Sequence, residues 1–387
     1  MLKREYCGNR PTKLCLLIID FFADFFVSIF GGKKKKNNIF PTKILLFNFG
    51  HLGDILILSY MINELKQKFP KIEIHLVAGN WCKSLIENNE LFDKIFYVNH
   101  YKTNRGKSSK FSKFWLYISD ILAFVRSQKL HLYSHSFDFR YSAHNANILL
   151  PFLNIEQKTG FGSVGFGGFL DNEKFIPQQN FHTIDIQSQG LNDLGLLISS
   201  KTISPKVFLP EEMSNLIETD FPYYMIFPEA GSENKMISHE FWIKIITVLI
   251  EKKKGAKLLI CGLTEFSVTL VHKLLQDNYE TKVVDAVGKL SILQINSLLK
   301  KASGAITLDS FPAHLASAHT QTFCLFKGGF GFEYFPINNF PTYIAHNHLP
   351  SKSFQDFRPK MKIEYISSFE NEDNFKILVD GLNNFFE

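Results

Sequence analysis

Cysteine is sparse in this chain of 387 residues. Its five copies, Cys7, Cys15, Cys82, Cys261 and Cys324, are odd in number and none pair as Cys-x-x-Cys. The set gives no basis for a disulfide framework or a structural zinc site, and it suits a reducing compartment. Charge of one sign is not in great excess either. A net charge of +6 is spread along the whole length, which fits an anionic substrate or a membrane surface but is too diffuse for nucleic acid. The first strong apolar run ends in Gly-His-Leu-Gly-Asp, not in Gly-x-Gly-x-x-Gly, so a dinucleotide-dependent oxidoreductase is a poor reading. Short internal repeats are missing too.

What is abundant is apolar bulk. Hydrophobic residues make up 45% and phenylalanine alone numbers 40, which excludes disorder and calls for large aromatic cores. The many Lys, Asn and Ile residues point to a biased genome rather than to a mechanism. A chain this long exceeds one ordinary core, so two domains are expected. From Lys43 onward, short apolar runs alternate with longer amphipathic ones. Strands are expected at Ile44–Asn48, Glu73–Ala78, Lys94–Val98 and Leu130–Ser134, with helices at Ile55–Lys68, Lys83–Asn88 and Lys113–Ser127. This βαβα order predicts a parallel sheet with helices on its faces. The stretch GFGSVGFGG (160–168) reads as a surface loop, and His182–Leu197 as a helix ahead of a polar linker with Pro205 and Pro210. The alternation then restarts. Strands follow at Tyr223–Phe227, Lys257–Cys261, Val283–Val287, Ala305–Leu308 and Thr322–Phe326, and helices at Glu240–Lys252, Glu265–Asn278, Ile292–Lys301 and Asn374–Phe386. The organisation predicted is an N-terminal segment (1–40), two α/β domains (41–200 and 201–370) with parallel sheets facing a central cleft, and a C-terminal helix (371–387).

The N-terminal segment is of its own kind. Leu14 to Phe30 is nearly all apolar, yet Asp20 and Asp24 sit one helical turn apart with Ser28 a turn further on, and Lys33 to Lys36 follow. Such a helix is marginal for spanning a bilayer, and each aspartate would cost about 2.5 to 3.5 kcal/mol at its centre. One reading is a helix lying in the membrane interface with a polybasic flank; the other is a helix packed on the first domain. Two acids in the apolar stretch and the lack of a small-x-small cleavage site argue against a signal peptide.

In parallel sheets ligands bind outside the carboxyl ends of strands, and four strand-end loops stand out: GHLGD (50–54), FPEAGSENK (227–235), CGLTEF (261–266) and LDSFPAHLASA (308–318). Each has a plain structural reading. Asp54 and Asp309 could be helix N-caps, worth about 1 kcal/mol each; Lys235 could be a solvated lysine and His314 a satisfied helix residue. Together they read differently. Lys235 and the helix opened by Asp309 and Ser310 share one sheet edge, where a cation and backbone N–H groups suit a diphosphate. Glu265 could accept hydrogen bonds from a ribose. A carboxylate is no use for holding phosphate, so Asp54, presented from the other domain, has a base as its natural role.

From about Lys43 to Lys327 the chain resembles the family 9 glycosyltransferases, the bacterial heptosyltransferases of the lipopolysaccharide core. KILLFNFGHLGDILILSY resembles the family's first strand, Gly-Asp turn and helix; FPEAGSENK falls at its phosphate loop and lysine; and VGKLS with LDSFPAHLA follows its Gly-Lys-x-Ser and Asp-Ser-Gly-Pro-x-His-Leu-Ala segments. The last is the specific one. The resemblance implies a GT-B fold and an inverting transfer without a metal or cofactor, in which a nucleotide sugar, ADP-linked heptose first, is the donor. It makes Asp54 the catalytic base beside Gly50, His51 and Gly53. Ser232 and Lys235 would hold the donor phosphates, Glu265 the ribose and the backbone at Leu290 the base, with Asp309, Ser310, Phe311 and His314 around the diphosphate and sugar. It further implies a lipid-linked glycan acceptor and a cytoplasmic protein peripheral to the inner membrane face; transfer of another sugar, a protein acceptor, or a non-catalytic sugar-nucleotide-binding relative are the alternatives. Two positions depart from the family. Phe311 stands where it has glycine, and Met236–Ile237–Ser238 replace a tryptophan-proline pair; both bear on the donor sugar more than on the reaction.

Overall fold

Ile44, Leu45, Leu46 and Phe47 are all fully buried. An unbroken buried run of this kind suits a strand covered on both faces. In the computed structural model it is the inner part of β1, Lys43–Asn48. Residues 4, 6, 9–30, 39–141, 145–175, 181–212, 221–328, 331–347, 360–369 and 371–386 are described. The chain divides into two units, Met1–Ile203 and Ser204–Glu387.

In the first unit β1 is followed by α2 (Leu52–Lys68), β2 (Glu73–Ala78), α3 (Lys83–Ile86), β3 (Lys94–Tyr97), α4 (Lys110–Ser127) and β4 (Tyr133–Asp138); α1 (Arg10–Phe30) precedes them. Then come β5 (Ile155–Phe161), β6 (Asn172–Lys174) and α5 (Thr183–Asn192). The sheet is parallel in the order β3-β2-β1-β4-β5-β6. The chain therefore runs outward from β1 to β3 and then returns to start again on β1's other side. Phe47 and Phe49 pack with Tyr117 and Phe124 of α4 and with Leu149 and Leu150 of a 3₁₀ segment, Asn147–Phe152. Burying each large side chain contributes roughly 1.5 to 3 kcal/mol.

The second unit repeats the plan with β7 (Tyr223–Phe227), α6 (His239–Lys252), β8 (Lys257–Ile260), α7 (Glu265–Gln276), β9 (Val283–Asp285), α8 (Ile292–Leu299), β10 (Gly304–Leu308), α9 (Phe311–His319) and β11 (Thr322–Phe326). It adds β12 (Thr342–His346), β13 (Met361–Tyr365) and α10 (Glu372–Phe385), which the sequence pattern did not reveal apart from the last helix. The order is β13-β12-β11-β10-β7-β8-β9, again all parallel. Trp242, Ile245 and Leu249 of α6 meet Ile226, Leu258 and Ile306 of the sheet.

Two expectations need correction. The strand expected at Leu130–Ser134 lies further on, at β4, because Leu130 and Leu132 point into solvent while 133–138 are buried. Residues 160–168 are not a surface loop. They complete β5 and form two 3₁₀ turns that are largely buried, and their glycines make room for other side chains. A Cβ on Gly162 would lie 1.6 Å from Glu173 Oε1, and one on Gly168 would lie 2.4 Å from Asp24 Oδ1.

Of the two readings of the N-terminal helix, packing on the first domain is the one seen: α1 lies on the first unit with its polar stripe turned inward. Asp20 is 1% exposed. It accepts hydrogen bonds from the Tyr6 hydroxyl (2.8 Å) and the Gly167 N–H (3.1 Å). Arg4 donates to both oxygens of Asp24 (2.8 and 3.0 Å) and to Glu173 (2.5 Å). Burial works against its charge, but the carboxylates of Asp24, Glu173 and Asp20 outweigh that and raise its pKa further. Lys33–Lys36 lie outside the described residues. Among the described residues no helix is long and apolar enough to cross a membrane.

Candidate functional site

A sheet whose strand order reverses leaves a crevice at the reversal, on the carboxyl side of the two strands concerned. In the first unit those strands are β1 and β4. After β1, Asn48 accepts the Gly50 N–H at 2.9 Å and folds the loop. The chain then enters α2, whose N-cap is His51. Asp54 is therefore not the N-cap. It is the third helical residue, and its Oδ2 accepts the His51 N–H at 2.8 Å to complete a capping box. Gly50 is required here, since a Cβ would fall 2.5 Å from Asp54 Oδ2. After β4 comes Arg140, whose Nη1 donates to Asp54 Oδ1 at 2.6 Å, both side chains being mostly covered.

The surroundings of Asp54 are cationic. Burial, with Arg105 and Arg140 nearby, pushes His51 down to about 4 despite the opposing pull of Asp54, so its imidazole is neutral at pH 7. Gly53 lies in the first turn of α2, and the Gly50 carbonyl accepts the Trp81 indole N–H at 2.8 Å. Below Arg140, the buried Asp138 accepts from the backbone of Ala146 (2.5 Å) and Arg140 (2.9 Å). Burial nevertheless pushes its carboxyl up to about 7. A carboxylate with two of its four lone-pair positions occupied keeps two for a ligand, and Asp54 retains 17% side-chain exposure. A surface cavity of about 450 Å³ lined by Lys68, Asp185, Asn192 and Ser199 lies at the other end of α2, some 25 Å of helix away.

In the second unit the reversal lies between β7 and β10, and it too carries an ion pair. Lys235 closes a 3₁₀ turn, Glu233–Lys235, after β7, and its Nζ lies 2.5 Å from Oδ2 of Asp309 after β10. Asp309 is buried and, contrary to the plain structural reading, is not the helix cap; Ser310 is, without a side-chain cap bond, and Phe311 opens α9 with Pro312 after it. Ser232 donates to Asn234 at 2.5 Å and precedes the turn. His314 is buried within α9. The structure thus gathers Ser232, Lys235, Asp309, Ser310 and Phe311 on adjoining loops of one edge.

Glu265 and Leu290 are placed differently. Glu265 is exposed at the start of α7, and Leu290 is half-buried in the turn before α8. The carboxylate that organises this region is Glu229, which the sequence reading passed over although it lies in the quoted FPEAGSENK. It accepts from the N–H groups of Leu263 (3.0 Å) and Thr264 (2.9 Å), from the Thr264 hydroxyl (2.8 Å) and from Ser267. Burial alone would raise its pKa; these donors reverse that and lower it. Glu229 therefore holds the chain that leads into α7 from a neighbouring loop. Arg140 was also missed. Its only sequence signal is its place just after a strand that pairs with β1.

A family profile described as glycosyltransferase family 9 (heptosyltransferase) matches residues 192–327. That stretch contains β7 to β11 and both partners of the Lys235–Asp309 pair. Over that stretch the chain is similar to the glycosyltransferase family 9 domain. Solved structures extend the likeness of fold over most of the chain. The glycosyl transferase family 9 protein of Veillonella parvula DSM 2008 superposes with a TM-score of 0.65 at 16% identity, covering 89% of this chain and 97% of that one. ADP-heptose lps heptosyltransferase II of E. coli gives 0.62 at 14% identity, covering 89% and 98%. The E. coli heptosyltransferase WaaC, solved with ADP, gives 0.62 at 12% identity, covering 88% and 99%. No curated protein matches by sequence. The glycosyltransferase has the GT-B plan of two parallel-sheet α/β units that the sequence predicted.

Proposed function

We propose that this glycosyltransferase is an inverting, metal-independent enzyme that transfers a sugar, heptose in the first instance, from an ADP-linked donor to a lipopolysaccharide-core or related cell-surface glycan. The observation that carries the reading is the Lys235–Asp309 pair at the β7–β10 reversal, 2.5 Å apart, beside the N-terminus of α9 and inside the matched segment. An ammonium has three donors. One is engaged by Asp309, which aims the group, and the others suit a diphosphate, whose developing charge the α9 N–H groups also favour as it leaves. These fixed positive groups supply what a divalent cation supplies in other transferases.

In the proposed reaction Asp54 takes the proton of an acceptor hydroxyl as that oxygen attacks the anomeric carbon, and the nucleoside diphosphate departs from the opposite face. Arg140 and the His51 N–H hold the carboxylate in place and aimed. That E. coli WaaC, of similar fold, was solved with ADP and with ADP-2-deoxy-2-fluoro heptose supports an adenine nucleotide as the first donor to test. Phe311 and Met236–Ile237–Ser238, where the family has glycine and tryptophan-proline, narrow or reshape the sugar pocket. The acceptor we infer is lipid-linked, and the enzyme works at the inner face of the cytoplasmic membrane.

Calorimetric titration with ADP in the presence of chelator tests the donor site. Wild type binds; Lys235→Ala weakens binding by about 1.5 to 3 kcal/mol, the range for a hydrogen bond to a charged group; and Lys235→Arg recovers part of it, since a planar fork does not replace a point charge. Equal affinity of wild type and Lys235→Ala places the phosphates elsewhere, and binding only with added magnesium contradicts the metal-free scheme.

A further inference from the structure

Helix α1 is mounted inside out. A helix that covers a soluble domain turns its apolar stripe to the core. Here the inward side holds Asp20 and Asp24, tied down by Arg4, Tyr6 and the Gly167 backbone, while Leu17, Phe21, Phe22, Phe25 and Ile29 stand in solvent, Phe22 being 64% exposed. The Arg4–Asp24–Glu173 bonds fix the helix in this orientation without using any of its outer surface.

A second helix of the same unit shows the same feature. Along α4, Phe111, Phe114, Trp115 and Leu122 form one exposed stripe at spacings of three, four and seven, with Phe111 73% and Trp115 55% exposed, while Tyr117 and Phe124 face the core. The two helices belong to one side of the unit. The 3₁₀ turn Gly167–Phe169 packs against α1, with Phe26 edge-on to Phe169 at 6.4 Å; that turn adjoins the segment Asn147–Phe152, which adjoins α4. Phe152, between them, is exposed too.

The charges that flank α4 on its N-terminal side in the sequence have one sign. Between Asp93 and Asp120 the charged residues are Lys94, Lys102, Arg105, Lys107, Lys110 and Lys113, with no acid among them. Asp120 is occupied with the backbone and amide of Asn99, both at 2.9 Å. Arg10 and Lys13 open α1, its two acids face inward, and in the sequence Lys33–Lys36 follow it. We propose that the outer faces of α1 and α4, with Phe152 between them, form one plate that rests on an anionic lipid surface. Aromatic and aliphatic side chains enter the headgroup–acyl boundary, and the surrounding cations meet the phosphates. A second copy of the chain is a poor occupant, because pairing this surface with itself would set cation against cation. None of the plate's aromatic residues belongs to the proposed donor site, which is built from the second unit.

Sedimentation of the full-length protein with phosphatidylcholine vesicles, with and without phosphatidylglycerol, tests it. The protein sediments with the anionic vesicles, less so as salt is raised, and only weakly with the neutral ones. Phe22→Ser with Phe25→Ser on α1, or Phe111→Ser with Trp115→Ser on α4, lowers the partition coefficient by about tenfold or more for each pair. Melting temperature and ADP affinity, read on the same proteins, stay at the wild-type values because all four side chains are exposed. Wild-type partition in either pair of variants overturns the two-helix plate, as does failure of the full-length protein to sediment with anionic vesicles. Light scattering that shows a dimer, dissolved by these substitutions and indifferent to lipid, assigns the face to a second copy instead.

Discussion

Asp54 accepts the N-cap N–H of its own helix and the guanidinium of Arg140 at the same time, so one carboxylate both shapes the loop and is the proposed base. Its role as a cap and its role in chemistry are not alternatives here. The sequence drew attention to Asp54 and Lys235 because each follows an apolar run and small residues, but it could not show their partners. Arg140 and Asp309 come from loops 86 and 74 residues further along, brought in by strand order alone. Glu229 and Glu265 were indistinguishable as candidates until the path of the loop gave one of them four donors. Beneath Arg140, Asp138 offers a test at this scale. Its carboxyl is raised from 3.8 to about 7 by burial, so between roughly pH 4 and 7 the folded state holds a proton that the unfolded state has lost, and this group's stabilisation fades as pH rises through that window. Asp138→Asn keeps an acceptor for one of the two backbone N–H groups, of Ala146 and Arg140, and cannot ionise. The urea midpoint of the variant is therefore expected to fall less than wild type between pH 5 and 8; parallel profiles would mean that Asp138 is ionised throughout.

Among the elements, the central strands and long helices were legible because burial on both faces leaves unbroken apolar runs and one-sided burial leaves the 3.6-residue period. β12 and β13 were not, since they lie at one side of their sheet and β13 has a mixed, half-buried pattern. The glycine-rich stretch misled for a physical reason. Glycine marks turns, but it also marks close approach, and here Glu173 and Asp24 fill the space a side chain would take. α1 was readable as amphipathic, not as inverted, because its partner Arg4 lies outside the helix and Glu173 lies 169 residues from Arg4. Arg4→Met leaves Asp20 and Glu173 buried without their cation, which costs about 3 to 5 kcal/mol when a buried pair is broken. Limited proteolysis is expected to cut near α1 in this variant well before wild type, while the second unit still binds ADP; unchanged protection would show that the apolar contacts of α1 hold it unaided.

At the scale of the molecule, both units obey one rule: a parallel sheet reverses its order once, and at each reversal a carboxylate on one loop meets a cation on the other. The signs are exchanged. The first strand of the first unit brings the carboxylate, Asp54, and that of the second brings the cation, Lys235. Under the proposed function this exchange separates the tasks, with the acid taking an acceptor's proton and the cation holding a donor's phosphates. The most direct measurement is the steady-state rate of ADP release from ADP-heptose in the presence of a lipid-linked glycan acceptor, for wild type and Asp54→Asn. Asparagine keeps the capping acceptor and loses the base. The account predicts a kcat lower by about 10² to 10⁴ with the donor KM and ADP affinity near wild type; a variant that retains most of the wild-type kcat would contradict it and leave Asp54 a helix cap.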